Sequence, residues 1–595
     1  MSSIDDLFKK PHLPSNKRKL EPITNPDQVY KSQKLQPNGD AKGKARATVE
    51  DAADDDDDLE AGPAPLPDDD GDGDEQDYGD EDEEGRFFGG GVDENTASAM
   101  NYVDRADEQP FVPETIDRSW LRKLALNFEK KISKNAELRA KFEEEPQKFM
   151  ASEADLDADI KSLSVLSEHP ELYGEFAKLG CAGSLVSLLA HENTDIAIDA
   201  IEIISELTDE DVEAEQEHWD ALVNAMLEAD LLSLMVSNLE RLDEGNEADR
   251  SGVYHSLEIV ENLASNTTIS EILGKDTALM KWLSSRAQRR ESPVSQNKQY
   301  AAEDLAILVQ NSVPNRLSFI ALDGVDTLLQ LLAFYRKRDP AKDSDEEEFA
   351  ENLFDCLTCL VDEADGKAKF VEAEGIELCL IMLRDSKFAK PRALRLLDHA
   401  LGGPPTGAAA VCEHLVEAAG LKTVFGMFMK KQDSANTEHL IGILAALLRS
   451  LPGDSAGRIR TLAKFVEKDY DKITRLVQLR RDYSSRVVAV EQQIKREQAE
   501  LRPEAREELA DEWFLRRVDG GLFCLQTIDV ILAWLVAEDG GARKRIVELL
   551  ADRDESLKDV KATLQEQVNG ISGDELSEGE LMLKDMLGTL IGFLQ

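Results

Sequence analysis

The sequence predicts an all-α fold: an armadillo- or HEAT-like, right-handed α-solenoid with a helical cap at each end and a disordered acidic tail in front. Three observations predict it. A glycine-marked unit recurs at intervals of 44 to 51 residues, within the period range of armadillo and HEAT repeats. Apolar residues inside each unit recur at helical spacings of three and four. The first 112 or so residues combine low hydrophobicity with two opposite charge blocks, a composition that cannot bury enough apolar area to fold.

The tail, residues 1–112, comes first. Residues 1–48 carry 10 Lys/Arg and 5 Asp/Glu, whereas residues 50–84 carry 20 Asp/Glu and no Lys/Arg. Lys17, Arg18 and Lys19 form a basic cluster that reads as a nuclear localisation signal. The block behind it reads as a solvating acidic tail. The chain has 595 residues and a net charge of -51, of which -36 lies from residue 85 onward. The body is therefore itself strongly acidic. That argues against direct nucleic-acid binding, because phosphates would be repelled, and favours basic partners.

Residues 113–170 read as the N-terminal cap. Trp120, Leu121, Leu124, Leu126 and Phe128 open a charged helix, Pro146 interrupts, and helical spacing resumes from Phe149 to Leu166. A solenoid needs such an end with one polar face.

Residues 171–452 hold about six repeats. The mark of each is a glycine, a bulky apolar residue five positions before it, and another about eight after it. Phe319, Gly324 and Leu332 form one copy, and Phe370, Gly375 and Leu383 a second. Leu415, Gly420 and Phe428 form a third, and Ile269, Gly274 and Trp282 a fourth. A fainter copy runs through Phe176, Gly180 and Leu188, and in another Asp230 stands at the glycine position. Such units stack and leave a long curved surface, where function is expected.

Within the first repeat, Asn193-Thr194-Asp195 supplies N-cap chemistry. The helix that follows has an apolar stripe of Ile196, Ala200, Ile203, Ile204 and Leu207. Beside it runs a stripe of carboxylates: Asp195, Asp199, Glu202 and Glu206. Later repeats place Glu258, Glu261 and Asn262, then Glu303 and Asp304, then Glu351, Asp355 and Asp362 on the corresponding helix. In armadillo stacks that helix lines the concave surface. Aligned carboxylates there would capture a basic extended peptide through charge-assisted bonds. Arg392, Arg395 and His399 in the fifth repeat limit the length of the acidic lining. Residues 336–347 read as a mobile polar loop.

Past 452 the glycine pattern stops, which sets the expected end of the solenoid. A charged helical stretch spans 456–500, Pro503 breaks it, and buried helical spacing resumes from Trp513. Residues 453–595 read as a C-terminal cap with a face suited to homodimerisation.

No catalytic constellation emerges, and neither a cofactor nor a metal is expected. Cys356-Leu-Thr-Cys359 lacks a second ligand pair and sits in a helical pattern, so its thiols read as small buried groups. Gly402-Gly-Pro-Pro-Thr-Gly407 lacks the Gly-Lys-Ser/Thr ending of a phosphate loop. The opening Met-Ser-Ser-Ile-Asp-Asp is unlike a secretory signal, and no stretch of 18 apolar residues suggests a membrane span. The six cysteines are expected as free thiols in a reducing compartment.

Several collinear stretches carry a family resemblance. They are Leu126-Asn-Phe-Glu-Lys-Lys131, Asn135-Ala-Glu-Leu-Arg139, Asp195 to Asp209, and Asn238-Leu-Glu-Arg-Leu-Asp-Glu244. Ile259-Val-Glu-Asn262, Glu351-Asn-Leu-Phe-Asp355, Leu397-Asp-His-Ala400, and Phe514-Leu-Arg-Arg517 with Gly521-Leu-Phe523 extend the set. On these residues, 115–595 resembles the beta-catenin-like protein 1 family of nuclear armadillo-type proteins. The resemblance implies a non-enzymatic, spliceosome-associated adaptor in the nucleus. It would join the nineteen-type splicing complex and bind basic localisation-signal segments of splicing factors, notably a Myb-domain factor. The alternative is a nuclear import carrier. The chain lacks the regular Trp-x-x-x-Asn ladder with which importin-α-type proteins hold cargo, so carboxylates would have to bear more of the binding.

Overall fold

The structure, a computed structural model, describes residues 115–595 apart from 404, 503–505, 507–508 and 572–576. The basic cluster Lys17, Arg18 and Lys19, the acidic block and the expected disorder of residues 1–112 lie outside the described residues. Among the described residues every regular element is a helix.

Helix α1 (Arg118–Lys141) starts where Asp117 Oδ1 accepts from the backbone N–H groups of Ser119 and Trp120, both at 2.8 Å. A single 3₁₀ turn, Pro146–Lys148, leads to α2 (Met150–Ser162), which packs back on α1. Proline ends the helical ladder because it has no N–H to donate.

Six three-helix units follow. The first is α3 (Tyr173–Lys178), α4 (Cys181–Ser187) and α5 (Thr194–Thr208). The second is α6 (Gln216–Glu228), α7 (Leu231–Arg241) and α8 (Glu247–Ala264). The third is α9 (Thr267–Lys275), α10 (Thr277–Gln288) and α11 (Gln296–Gln310). The fourth is α12 (Val313–Ala321), α13 (Gly324–Leu332) and α14 (Asp345–Leu360). The fifth is α15 (Ala364–Glu372), α16 (Gly375–Asp385) and α17 (Ala389–Leu401). The sixth is α18 (Pro405–Glu417), α19 (Gly420–Phe428) and α20 (Ser434–Ser450).

The glycine mark has a physical cause. In the fourth, fifth and sixth units one left-handed residue turns the chain between the first and second helices: Asp323, Glu374 or Ala419, at φ of 58° to 59°. The glycine comes next, as the first residue of the second helix. A Cβ at Gly375 would lie 2.3 Å from the Phe370 ring, and one at Gly420 would lie 2.4 Å from Leu415 Cδ1. The bulky residue five positions back therefore packs on the bare face of the glycine, and the two are needed together. The same letter does other work elsewhere. Gly180 is itself the left-handed residue (φ 79°), as is Asp230 (φ 63°) in its unit. Gly274 lies inside α9, where its missing Cβ makes room for the Asn315 side chain. The fourth sequence copy is thus a coincidence of spacing and not a corner.

The third helices α5, α8, α11, α14, α17 and α20 pack on one another in succession, far more extensively than successive second helices do. The close-packed side of a bent stack is its inner side, so these helices form the inner face.

Two expectations change. The polar segment 336–347 is tied down: Asp339 Oδ1 accepts from Phe388 N–H at 3.1 Å and from the Ser386 hydroxyl at 3.0 Å, and α14 already starts at Asp345. Its polar groups bind the next unit instead of water. The solenoid also does not end with the glycine pattern. After α21 (Ala456–Glu500) and α22 (Ala510–Asp519), helix α23 (Leu522–Glu538) packs on α20 and extends the ladder. It is apolar almost all round, as a helix enclosed by others must be. Helices α24 (Gly540–Ala551), α25 (Leu557–Gly570) and α26 (Glu578–Phe593) complete its enclosure.

Helix α21 is broken at residues 467–470. Lys468, Asp469 and Tyr470 are all left-handed, with φ of 54°, 55° and 61°. Each such L-residue costs about 1–2 kcal/mol. All six cysteines are free, and Cys356 and Cys359 sit in α14 with burial raising both thiols, Cys359 to about 12.

Candidate functional site

The inner face begins at α5. Its register is fixed by Asn193, whose side-chain oxygen accepts from the N–H of Asp195 at 3.1 Å. Ile196, Ala200, Ile203, Ile204 and Leu207 are buried, which turns the carboxylate stripe outward from the core. The four carboxylates do not share one environment. Asp195 and Glu202 are exposed, while Asp199 and Glu206 are half-buried in the seam with the preceding cap.

In that seam Asp199 lies 3.3 Å from Lys161. Burial pushes its carboxyl up to about 7, aided by the hydrogen bond with Asp157 and opposed by Lys161. Glu206 is also pushed up by burial, and the Ser167 hydroxyl that donates to it at 2.9 Å opposes the shift. Glu258 on α8 reaches back to α5. Burial raises it, but hydrogen bonds from His255 (3.0 Å) and Ser205 (2.5 Å) outweigh burial and hold it below the usual range. Asn262 is buried and donates to the Ser205 carbonyl at 3.3 Å, so it ties α8 to α5 and does not face a ligand. Glu303 accepts from Gln299, one turn earlier, at 2.7 Å.

In the later units the acidic lining is neutralised from within. Arg392 bonds Glu351, Arg395 bonds Asp355 at 2.7 Å, and Nδ1 of His399 lies 3.1 Å from Asp362 Oδ1. Burial raises the Asp355 carboxyl, with Arg395 opposing. These three carboxylates were expected to hold a basic peptide. Instead they tie α14 and the residues just after it to α17, because Arg392, Arg395 and His399 of the next third helix come to the same height. A groove of about 430 Å³ runs beside them, lined by Phe354, Pro391, Arg392, Arg395 and His439 among others, with mixed charge.

The accessible acidic site lies at the other end. A hollow of about 540 Å³ opens beside the end of α5, and its lining includes Glu168, Glu206, Asp209, Asp211 and Glu213 with no Lys, Arg or His. Of these, the α5 stripe supplied only Glu206. The others sit on a 3₁₀ turn and a loop, where helical spacing is blind. Their sequence signal was the acidic run from Asp209 to Glu213. Such a hollow can take ammonium or guanidinium groups through several charge-assisted bonds.

Between the two ends, α11 is sealed by α8 and α14. Asp304 is 0% exposed, and neither of its oxygens has a hydrogen-bond partner among the described residues. Burial, with Glu261 and Glu303 nearby, holds its carboxyl well above the usual aspartate range. Its folded-state pKa lies above the unfolded one, so its stabilising contribution is complete below about 3.9 and is lost as pH rises through the folded value. Asp304→Asn should therefore flatten the loss of thermal stability as pH rises above about 4. Equal slopes for the variant and the wild type would rule out a neutral Asp304.

Comparison with known proteins places this geometry. A family described as catenin-beta-like, Arm-motif containing nuclear, matches residues 97–565. The chain belongs to that family. Among curated members, the beta-catenin-like protein 1 homolog of Schizosaccharomyces pombe is 37% identical over 525 residues, covering 87% of this chain and 91% of the relative. Human beta-catenin-like protein 1 is 36% identical over 498 residues, covering 80% and 86%. Solved structures similar to this member of the Arm-motif nuclear family include an engineered protein with a TM-score of 0.44 at 15% identity, covering 74% of this chain and 95% of that one. A designed armadillo repeat protein aligns with a TM-score of 0.34 at 16% identity, covering 44% and 99%. Family membership and the stacked three-helix units together describe an armadillo scaffold of a nuclear family.

Proposed function

We propose that this protein is a non-enzymatic nuclear scaffold that captures basic, localisation-signal-like segments of splicing factors at the N-terminal half of its inner face. The observation that carries the reading is the hollow beside α5, with five carboxylates and no cation in its lining. Exposed Asp195 and Glu202 extend the negative field along the same helix. The setting proposed is the one the resemblance implies: the nineteen-type splicing complex, with its Myb-domain factor as the partner. Lys17, Arg18 and Lys19 would bring the protein itself into the nucleus.

The test is a lysine- and arginine-rich peptide titrated into the full chain and into Glu202→Lys/Asp211→Lys/Glu213→Lys. All three positions are exposed, so the fold should survive. Losing two or three charge-assisted bonds should weaken binding by about a hundredfold and shrink its salt dependence. Unchanged affinity and an unchanged salt slope would remove the hollow as the site.

A further inference from the structure

A second cavity, lined by residues of α20 and α21 and not of α5, has a different character from the acidic hollow. It measures about 840 Å³ and opens between the start of α20 and the broken helix α21. Its lining includes four cations: Lys431, Lys468, Arg475 and Arg486. Among the described residues none of the four has an ion-pair partner. Arg392, Arg395, Arg458 and Arg480, by contrast, are all paired. The Nε of Arg475 is buried without an acceptor. A buried donor left in that state costs free energy, and an anion entering beside it would supply the acceptor.

Three further features fit an anion. The 17-residue helix α20 starts at the cavity with Ser434, so its positive dipole end lies there. The left-handed turn at 467–470 sets Lys468 on the rim. Strain of this kind persists where surrounding structure enforces it and clusters at ligand clamps. Met429, Leu479 and Tyr483 supply an apolar wall.

The carboxylates in the lining define what kind of anion enters. Asp433 is occupied in capping α20, where it accepts from Asn436 N–H at 2.7 Å, and Asp471 pairs with Lys472 at 2.9 Å. Asp469 and Asp482 remain exposed in the lining. A uniformly anionic chain such as RNA would meet their repulsion. A single phosphoryl group on an otherwise neutral or mixed-charge segment meets far less of it, because only one group has to be placed beside the four cations. We propose that this cavity binds a phosphorylated segment of a partner protein, with the phosphoryl group among Arg475, Arg486, Lys431 and Lys468. The site is independent of the basic-segment reading.

The test uses the full chain and a fluorescein-labelled peptide with one phosphoserine in a neutral sequence, its unphosphorylated twin, and an oligouridine of the same length. The phosphopeptide should bind about tenfold or more tightly than its twin. Arg475→Gln/Arg486→Gln should abolish that preference, and Lys431→Gln, on an exposed loop, should reduce it. Lys544→Gln, whose side chain is 82% exposed on α24, should leave it intact, and unchanged thermal unfolding should confirm that each variant is folded. Equal binding of the twin, a preference that survives in the double variant, or oligouridine that outcompetes the phosphopeptide would each overturn the proposal.

Discussion

Lys367→Met is expected to destabilise the solenoid by about 3–5 kcal/mol, since each buried acceptor left without its donor costs about 1–3 kcal/mol. The Lys367 side chain is almost wholly buried, at 2% exposure. Its ammonium donates to the carbonyls of Val361 at 2.7 Å, His399 at 2.7 Å and Ala400 at 3.1 Å. Val361 caps the C-terminus of α14, and His399 and Ala400 lie in the last turn of α17. One cation thus serves two helix C-termini, where the partial negative charge of the backbone favours it. It also fixes the spacing of the fourth and fifth units on the inner face. Methionine keeps the stem and its packing but removes all three donors. Urea unfolding of the variant should show the loss, and Lys367→Arg should restore part of it. A deficit below about 1 kcal/mol would mean that water reaches these carbonyls and satisfies them.

The repeat architecture was legible because stacking imposes a period. The pairing of Phe370 with Gly375 and of Leu415 with Gly420 survives in the sequence since each packs on the other. The carboxylate stripes were legible as stripes, but not the use to which they are put. Glu351, Asp355 and Asp362 look free until Arg392, Arg395 and His399, 41, 40 and 37 residues later, are seen to arrive beside them. Such distances carry no local pattern. The break in α21 was invisible for another reason: residues 467–470 contain neither glycine nor proline. Surrounding contacts impose that turn, among them the bonds from Lys464 and Lys472 to Glu467.

These differences redraw the functional surface. A uniform acidic groove would hold a long basic peptide along its whole length. The structure instead gathers five carboxylates around one hollow with no cation in its lining, buries Asp304 at the centre, and pairs Asp355 of α14 with Arg395 of α17. On the proposed reading, basic recognition on such a surface would be short and local. Its strength depends on how many cationic groups one hollow can hold, and charge reversal on α14 should matter much less than charge reversal near Asp211.

Arg480→Met should cost about 3–5 kcal/mol, the usual penalty for breaking a buried ion pair from one side. Arg480 is 4% exposed and Asp529 is 0% exposed. Nε of Arg480 donates to Asp529 Oδ1 at 2.6 Å and Nη2 to Oδ2 at 3.3 Å, while Nη1 reaches Glu555 at 3.4 Å. The pair pins α21 to α23, the central helix of the C-terminal block, and so holds the helix that carries Arg475 and Arg486. Burial pushes the Asp529 carboxyl up to about 6 even with Arg480 opposing it. The sign of the pH effect follows. Its folded value exceeds the unfolded one, so its stabilising contribution is complete below about 3.9 and is lost as pH rises through the folded value. Without Arg480 only the hydrogen bond from Thr563 opposes burial there, and the deficit of Arg480→Met should grow as pH rises from about 4. Arg480→Met/Asp529→Leu should recover most of the loss, because it leaves no uncompensated charge at position 529. Tryptophan fluorescence from Trp513 and Trp534, both in this block, reads the transition directly. If the double variant is no more stable than Arg480→Met, or if the deficit is flat with pH, charge compensation at Asp529 is not what holds α21 in place.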